Sequence, residues 1–280
     1  MLEFLPAIGS LLAYGSMGTV SKKGIWDVGR HKAIVYSYLF LVALLLAGAL
    51  VIGLGISFPM SLAPLYAIQI AIGALGAIAE YKAMSMGRAS VIVPIGRISS
   101  VIVLLLSILV LAEAPGALQV IGSLMILLAA LVIARDEGGR FSLEPWMPYL
   151  ALSIICRAYY YTSIKSFVAA LGPYQASLFL EIGIAAFIIG FHAIRGKELA
   201  LPKQRRDMLL PLSAGALLFS GSILYSTSVS WIGAGLTSAI YSGTPIVNTI
   251  LAYLFLGEKL DMAKYAAIAL MVLGLAMIFA

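Results

Sequence analysis

Four ionisable residues stand inside stretches that are otherwise apolar: Glu80, Arg97, Arg157 and Glu181. Within lipid a charged side chain is costly, and its presence marks a functional site by default, with a partner to be named. Counting about 1.5 Å of helix rise per residue from the ends of the apolar runs puts Glu181 and Arg157 roughly 12 and 14 Å deep from one face. The same count puts Glu80 and Arg97 roughly 6 and 12 Å deep from the other. Two readings follow. Arg157 pairs with Glu181 and Arg97 with Glu80, each pair fixing helix packing. Alternatively the arginines receive an anionic or carboxylate cargo, which a planar guanidinium fork grips with two parallel hydrogen bonds. A glutamate facing a cavity could also carry a coupling proton, and Glu80 is the better placed for that role.

Helical spacing groups further polar residues into faces. Thr237, Tyr241, Thr244 and Asn248 recur at i, i+4, i+7 and i+11. Gln69, Gly73, Gly76 and Glu80 make a second face, and Arg97, Ser100 and Ser107 a third. Serines and threonines in such positions serve equally well as interhelical hydrogen bonds, worth about 0.6 kcal/mol on average. Asn248 is costlier to bury unpaired, which favours a cavity role. Tyr14, Tyr225 and the run Tyr159–Tyr160–Tyr161 are candidates to stack on cargo or hold a cation, and are otherwise packing residues. The candidate cargo-binding set is therefore Tyr14, Gln69, Glu80, Arg97, Arg157, Tyr225, Tyr241, Thr244 and Asn248.

The elements that must position these residues are membrane helices. Apolar residues make up 62% of the 280, and only 11% are charged, against roughly 25% in a soluble domain. Ten runs near the 20 residues that cross a bilayer occur at 4–21, 33–54, 63–84, 89–111, 116–134, 146–166, 173–194, 208–231, 235–256 and 260–279. The first is read as a mature span, since no small-residue cleavage pattern follows it. One cysteine, Cys156, excludes a disulfide framework and a cysteine-cluster metal site. The net charge of +6 resides in short loops, a pattern of membrane orientation and not of nucleic-acid binding. Of the 18 Lys and Arg, fifteen fall in loops after odd-numbered runs, Lys165 alone falls on the other side, and Arg97 and Arg157 lie within runs. The positive-inside rule places both termini outside the cytoplasm.

The chain also repeats itself. "VLLLSILVLAEAPGA" (103–117) overlays "NTILAYLFLGEKLDM" (248–262) with Glu113 on Glu258, an offset of 145. "TVSKK" (19–23) overlays "TSIKS" (162–166) with Lys22 on Lys165, an offset of 143. Both offsets divide ten runs into five and five, giving repeats at 1–138 and 139–280. An odd number per half inverts the second half relative to the first, a recurrent plan of secondary transporters with the site near the midplane. Glu113 and Glu258, in hairpins before runs 5 and 10, are expected to favour the helix N-termini next to them.

These features resemble the drug/metabolite transporter superfamily, EamA type. An aromatic-Gly pair precedes a lysine by eight residues at the end of run 1 ("YGSMGTVSK", Tyr14 to Lys22), and a proline precedes a leucine-glycine-glutamate hairpin by thirteen ("PIVNTILAYLFLGE", Pro245 to Glu258). Ser100 stands where the second half has Pro245, "LAE" replaces one "LGE", and Tyr14 replaces the usual tryptophan. The resemblance implies a ten-helix all-α basket of two inverted five-helix repeats, with a cavity lined mainly by runs 3, 4, 8 and 9. It further implies secondary transport of a small polar metabolite through the cell membrane, by a functional monomer or, alternatively, a dimer. Two intramembrane arginines favour an amino acid or organic acid as cargo. The alternative is a lipid flippase, scramblase or exporter of amphipathic compounds. His31 and His192 form no paired metal-ligand motif, and neither G-x-S-x-G nor a P-loop occurs, so no enzyme, metal or organic cofactor is expected.

Overall fold

The computed structural model describes residues 2–55, 57–133, 144–196, 205–258 and 262–280. Among these residues the regular structure is entirely helical, as lipid demands, since a helix satisfies its own backbone without water. The α-helices are α1 (Leu5–Val28), α2 (Arg30–Val51), α3 (Ala63–Met86), α4 (Ala89–Gly96), α5 (Ile98–Leu109) and α6 (Ala117–Ile133). After them come α7 (Met147–Leu171), α8 (Pro173–Ile194), α9 (Leu209–Tyr241), α10 (Thr244–Leu256) and α11 (Met262–Phe279). Each of the ten apolar runs lies on one of these helices or on an interrupted pair. Among the described residues six segments have the length and apolarity to cross a membrane, and Ala117–Val132 is a shorter apolar helix. Helices α1 and α7 are as long as their neighbours, but they carry Lys22 and Lys23, and Arg157 and Lys165.

Two of the runs are broken, at equivalent places. Pro94 lacks an N–H and clashes with the carbonyl one turn back, and α4 stops at Gly96; Arg97 links it to α5. In the second half, α9 bends at Gly233, whose φ of 84° and ψ of 168° suit glycine. The arm beyond the bend ends at Tyr241, and after Ser242 and Gly243 α10 begins at Thr244 with Pro245 in its first turn.

Contacts between helices come in exchanged pairs: α1 packs on α9 and α7 on α3, while α2 packs on α9 and α8 on α3. Helices α1 and α10 match α7 and α5 in the same way. That is the signature of an internal two-fold relating two interleaved five-run repeats. Near the axis α6 crosses α11 at Gly122 and Gly274, where a Cβ on Gly274 would lie 2.6 Å from the Gly122 carbonyl oxygen. Small residues let membrane helices approach this closely. The 138/139 repeat boundary lies outside the described residues, as do Arg135, Arg140, Lys197, Lys203 and Lys259 of the charge pattern.

The repeated glutamates cap helices, but not the ones that follow them. Glu113 accepts the N–H groups of Ala234 and Gly235 at 2.9 and 2.8 Å, the first beyond the Gly233 bend, and the Lys165 ammonium at 2.6 Å. Glu258 accepts those of Ala89 and Ser90 at 3.2 and 3.1 Å, at the start of α4. Each glutamate thus neutralises the N-terminus of a helix in the opposite repeat, where unsatisfied N–H groups and the helix dipole favour an anion. Lys22, read from sequence as a loop residue, lies within a helix, as does Lys165 near the end of run 6. Lys22 is buried and donates to the carbonyls of Met84 and Gly87 at 2.5 and 2.7 Å. A cation there complements the C-terminus of α3.

Two outcomes are expected. Gly274→Leu lowers unfolding stability in detergent by about 1–3 kcal/mol through overpacking, whereas Gly190→Ala, with open space around its Cα, leaves it near wild type; thermal melts compare them. Partial burial alone would raise the Glu113 carboxyl, but Lys165 and the two N–H groups outweigh it and hold Glu113 below the usual carboxylate range. A lowered folded-state pKa contributes stability that is complete above the unfolded value of about 4.3 and is lost as pH falls through the folded one. Melts of wild type from neutral to acid pH therefore fall more steeply than those of Glu113→Gln.

Candidate functional site

A cavity of about 50 Å³, room for a few waters, opens between α1, α2, α3, α7, α8 and α9. Its polar lining is Glu80, Arg157, Glu181 and the tyrosines at 14, 38, 81, 160 and 161. Gly73 and Gly76 of α3 also line it, and they do so because α7 presses on them: a Cβ on Gly76 would lie 2.9 Å from Cys156 Cβ. Cys156 precedes Arg157, and Glu80 lies one turn beyond Gly76, so this close approach brings carboxylate and guanidinium together.

Arg157 Nη2 donates to Glu80 Oε2 in an ion pair. The expected partner, Glu181, is not the one used. Glu181 Oε1 instead accepts the Ser222 hydroxyl at 3.1 Å and the Tyr160 hydroxyl at 3.5 Å. The expected Glu80–Arg97 pairing is likewise displaced. Counting depth along each helix matched Arg157 to Glu181 and Arg97 to Glu80, and neither pair forms; the α3–α7 glycine contact brings Arg157 to Glu80 instead.

Arg97, 4% exposed, sits in the α4–α5 break with its guanidinium carbon 4.3 Å from the centre of the Tyr241 ring. The negative face of a phenol attracts a cation placed so. Arg97 Nε lies 3.5 Å from the Val93 carbonyl, and its Nη1 has no hydrogen-bond partner. The Tyr241 hydroxyl accepts from Arg157 Nη1 at 3.3 Å and lies 3.2 Å from the Tyr161 hydroxyl. One phenol therefore meets Arg97 on its face and Arg157 at its hydroxyl. Tyr14, Tyr161 and Tyr225 pack against it with ring centres 5.2, 5.4 and 5.5 Å away.

Of the other candidates, Gln69 and Asn248 are fully buried and tie helices together away from the cavity lining. Gln69 donates to the Tyr160 carbonyl at 2.9 Å and accepts from Ser163 at 2.5 Å. Asn248 donates to the Ala89 carbonyl at 3.1 Å and accepts from Thr19 at 3.2 Å. Thr244 is buried with its hydroxyl unpartnered, Tyr225 is buried on Tyr161, and Tyr14 is half-buried on the cavity wall. Sequence reasoning missed Tyr38, Tyr81 and Ser222. Ser222 stands at i, i+3 and i+4 spacing with Tyr225 and Ser226, a signal that could have found it, whereas Tyr81 only adjoins the Gln69–Glu80 stripe and Tyr38 belongs to none. Among the described residues no group of three or more His, Cys, Asp and Glu could hold a metal.

The model of the EamA-like transporter family matches residues 1–135 and 144–280. The chain belongs to that family. It is therefore a multi-pass integral membrane protein of a transporter family, built as two repeats. The chain matches no curated protein by sequence. It superimposes on the crystal structure of a protein with a TM-score of 0.82 at 16% identity, covering 99% of this chain and 95% of that one; at such identity the likeness concerns the fold alone. Within this EamA-like transporter each matched stretch supplies one intramembrane arginine and one intramembrane glutamate, and the ion pair joins the glutamate of the first to the arginine of the second.

Glu80→Gln strands the Arg157 charge and is expected to cost about 3–5 kcal/mol of stability. The double variant Glu80→Gln/Arg157→Gln recovers much of that loss. Chemical unfolding of the detergent-solubilised variants measures both, and additive losses would show that the pair is not coupled.

Proposed function

We propose that this chain is a secondary transporter that moves a small carboxylate-bearing metabolite, an amino acid or organic acid, across the cytoplasmic membrane. The two repeats, 1–138 and 139–280, would alternate access to a site between them, in a monomer whose termini lie outside the cytoplasm. One observation carries the choice of cargo: buried Arg97 and half-buried Arg157 converge on Tyr241, and only one carboxylate, Glu80, pairs with them among the described residues. A carboxylate arriving there supplies the missing charge. Three buried polar atoms without partners support the same reading, Arg97 Nη1, Ser100 Oγ and Thr244 Oγ1, since such atoms cost free energy until something satisfies them. Arg97 and Arg157 are the proposed anion contacts. Tyr14, Tyr225 and Tyr241 shape the site, with Thr244 beside the second helix break. Gln69 and Asn248 hold the walls.

The test is thermal stability of the solubilised protein across amino acids, organic acids, nucleosides, sugar phosphates and quaternary amines. A ligand at 100 times its dissociation constant stabilises by about 2.7 kcal/mol. A carboxylate is expected to stabilise wild type and to lose that effect in a folded Arg97→Ala. Stabilisation by cations alone would overturn the cargo assignment, and stabilisation by lipids alone would favour a flippase.

A further inference from the structure

We infer that Glu181 is a proton-binding site opening into the central cavity. The inference rests on the carrier reading only for the use of that proton, because the site itself is defined by geometry. Two carboxylates line the cavity, and they are held in opposite ways. Glu80 is committed to Arg157. Glu181 is 6% exposed, and neither of its hydrogen bonds involves a cation. Both bonds fall on Oε1, so Oε2 is the oxygen left unbonded on a residue that lines the cavity.

The groups around it offer no neutralising charge. Helix α8 packs against α2, α3, α7 and α9. From α3 come Glu80 and Tyr81, and from α7 come Arg157, Tyr160 and Tyr161. From α2 comes Tyr38, with Tyr14 reaching in from α1; α9 contributes Ser222, with Tyr225 behind Tyr161. Among the described residues the single cation lining the cavity, Arg157, is already paired. A buried carboxylate among neutral donors is neutralised by a bound cation or by a proton, and a cavity of about 50 Å³ admits water to deliver the proton. Protonation forms an O–H bond on Oε2 and leaves both Oε1 hydrogen bonds in place, so no side chain has to move. A proton on Glu80, by contrast, would remove the negative charge that pairs with Arg157. Glu181 therefore takes the role that helical position alone suggested for Glu80.

The test is an infrared pH titration of the protein reconstituted in liposomes, following the carbonyl stretch of protonated carboxyl groups. Wild type is expected to show one such band that is present near neutral pH and disappears on alkalinisation. The band should be lost in Glu181→Gln, retained in Glu80→Gln, and shifted in Glu181→Asp; the last variant keeps a carboxyl if the glutamine variant fails to fold. A band unchanged in Glu181→Gln, or no neutral-pH band in wild type, would overturn the proposal. So would stabilisation by ammonium or sodium ions that is lost in Glu181→Gln, because it would make the site a cation site. The titration needs no cargo, so a metabolite panel without hits defeats the carrier reading and leaves this result standing.

Discussion

The phenol of Tyr241 is where the two halves of this protein meet electrostatically. Arg97, from the first repeat, lies over its face, and Arg157, from the second, donates to its hydroxyl. Two guanidinium groups brought so close repel, and in a low-dielectric interior that repulsion is severe unless something intervenes. The aromatic ring does so for one, and Glu80 neutralises the other. Remaining features of the core follow from keeping that ring in place. Tyr14, Tyr161 and Tyr225 pack edgewise around it, and the glycines of α3 let α7 approach until Arg157 reaches Glu80.

Much of the architecture was readable because membrane helices obey few and strict rules. Apolar runs located the helices, and the offset between Glu113 and Glu258 exposed the two repeats. The two halves pack with exchanged contacts, as an internal two-fold requires. The intramembrane charges were equally visible, since any charged residue stands out in such composition. Partner choice was not. Depth along a helix is additive in residue number, but orientation about the axis depends on which side chains are small where helices cross. Gly76 decided Glu80 over Glu181 as the partner of Arg157, and a lone glycine in a glycine-rich chain does not announce which neighbour it will admit.

Polar stripes proved ambiguous for a related reason. Asn248 and Tyr241 share a helical face, yet Asn248 is saturated by Ala89 and Thr19 while Tyr241 meets both arginines. The break between α9 and α10 lies between them, and it cancels the periodicity that placed them on one stripe. Glutamates at the hairpins were correctly expected at helix N-termini, but the neighbour in sequence was the wrong helix. In an interleaved repeat the nearest N-terminus in space belongs to the other half.

Those glutamates and the central phenol are parts of one arrangement. Glu258 holds the first residues of α4, and the far end of α4 delivers Arg97. Glu113 holds the first residues of the arm beyond Gly233, and its far end delivers Tyr241. Two half-helices, each anchored at one end by the opposite repeat, thus supply the two partners of the Arg97–Tyr241 contact. The anchors lie on opposite faces, because the repeats are inverted. Anything that releases one anchor frees one partner of the central contact while the other stays fixed. A symmetric pair of hydrogen-bonded caps therefore bears on one contact at the centre, Arg97 over the Tyr241 ring.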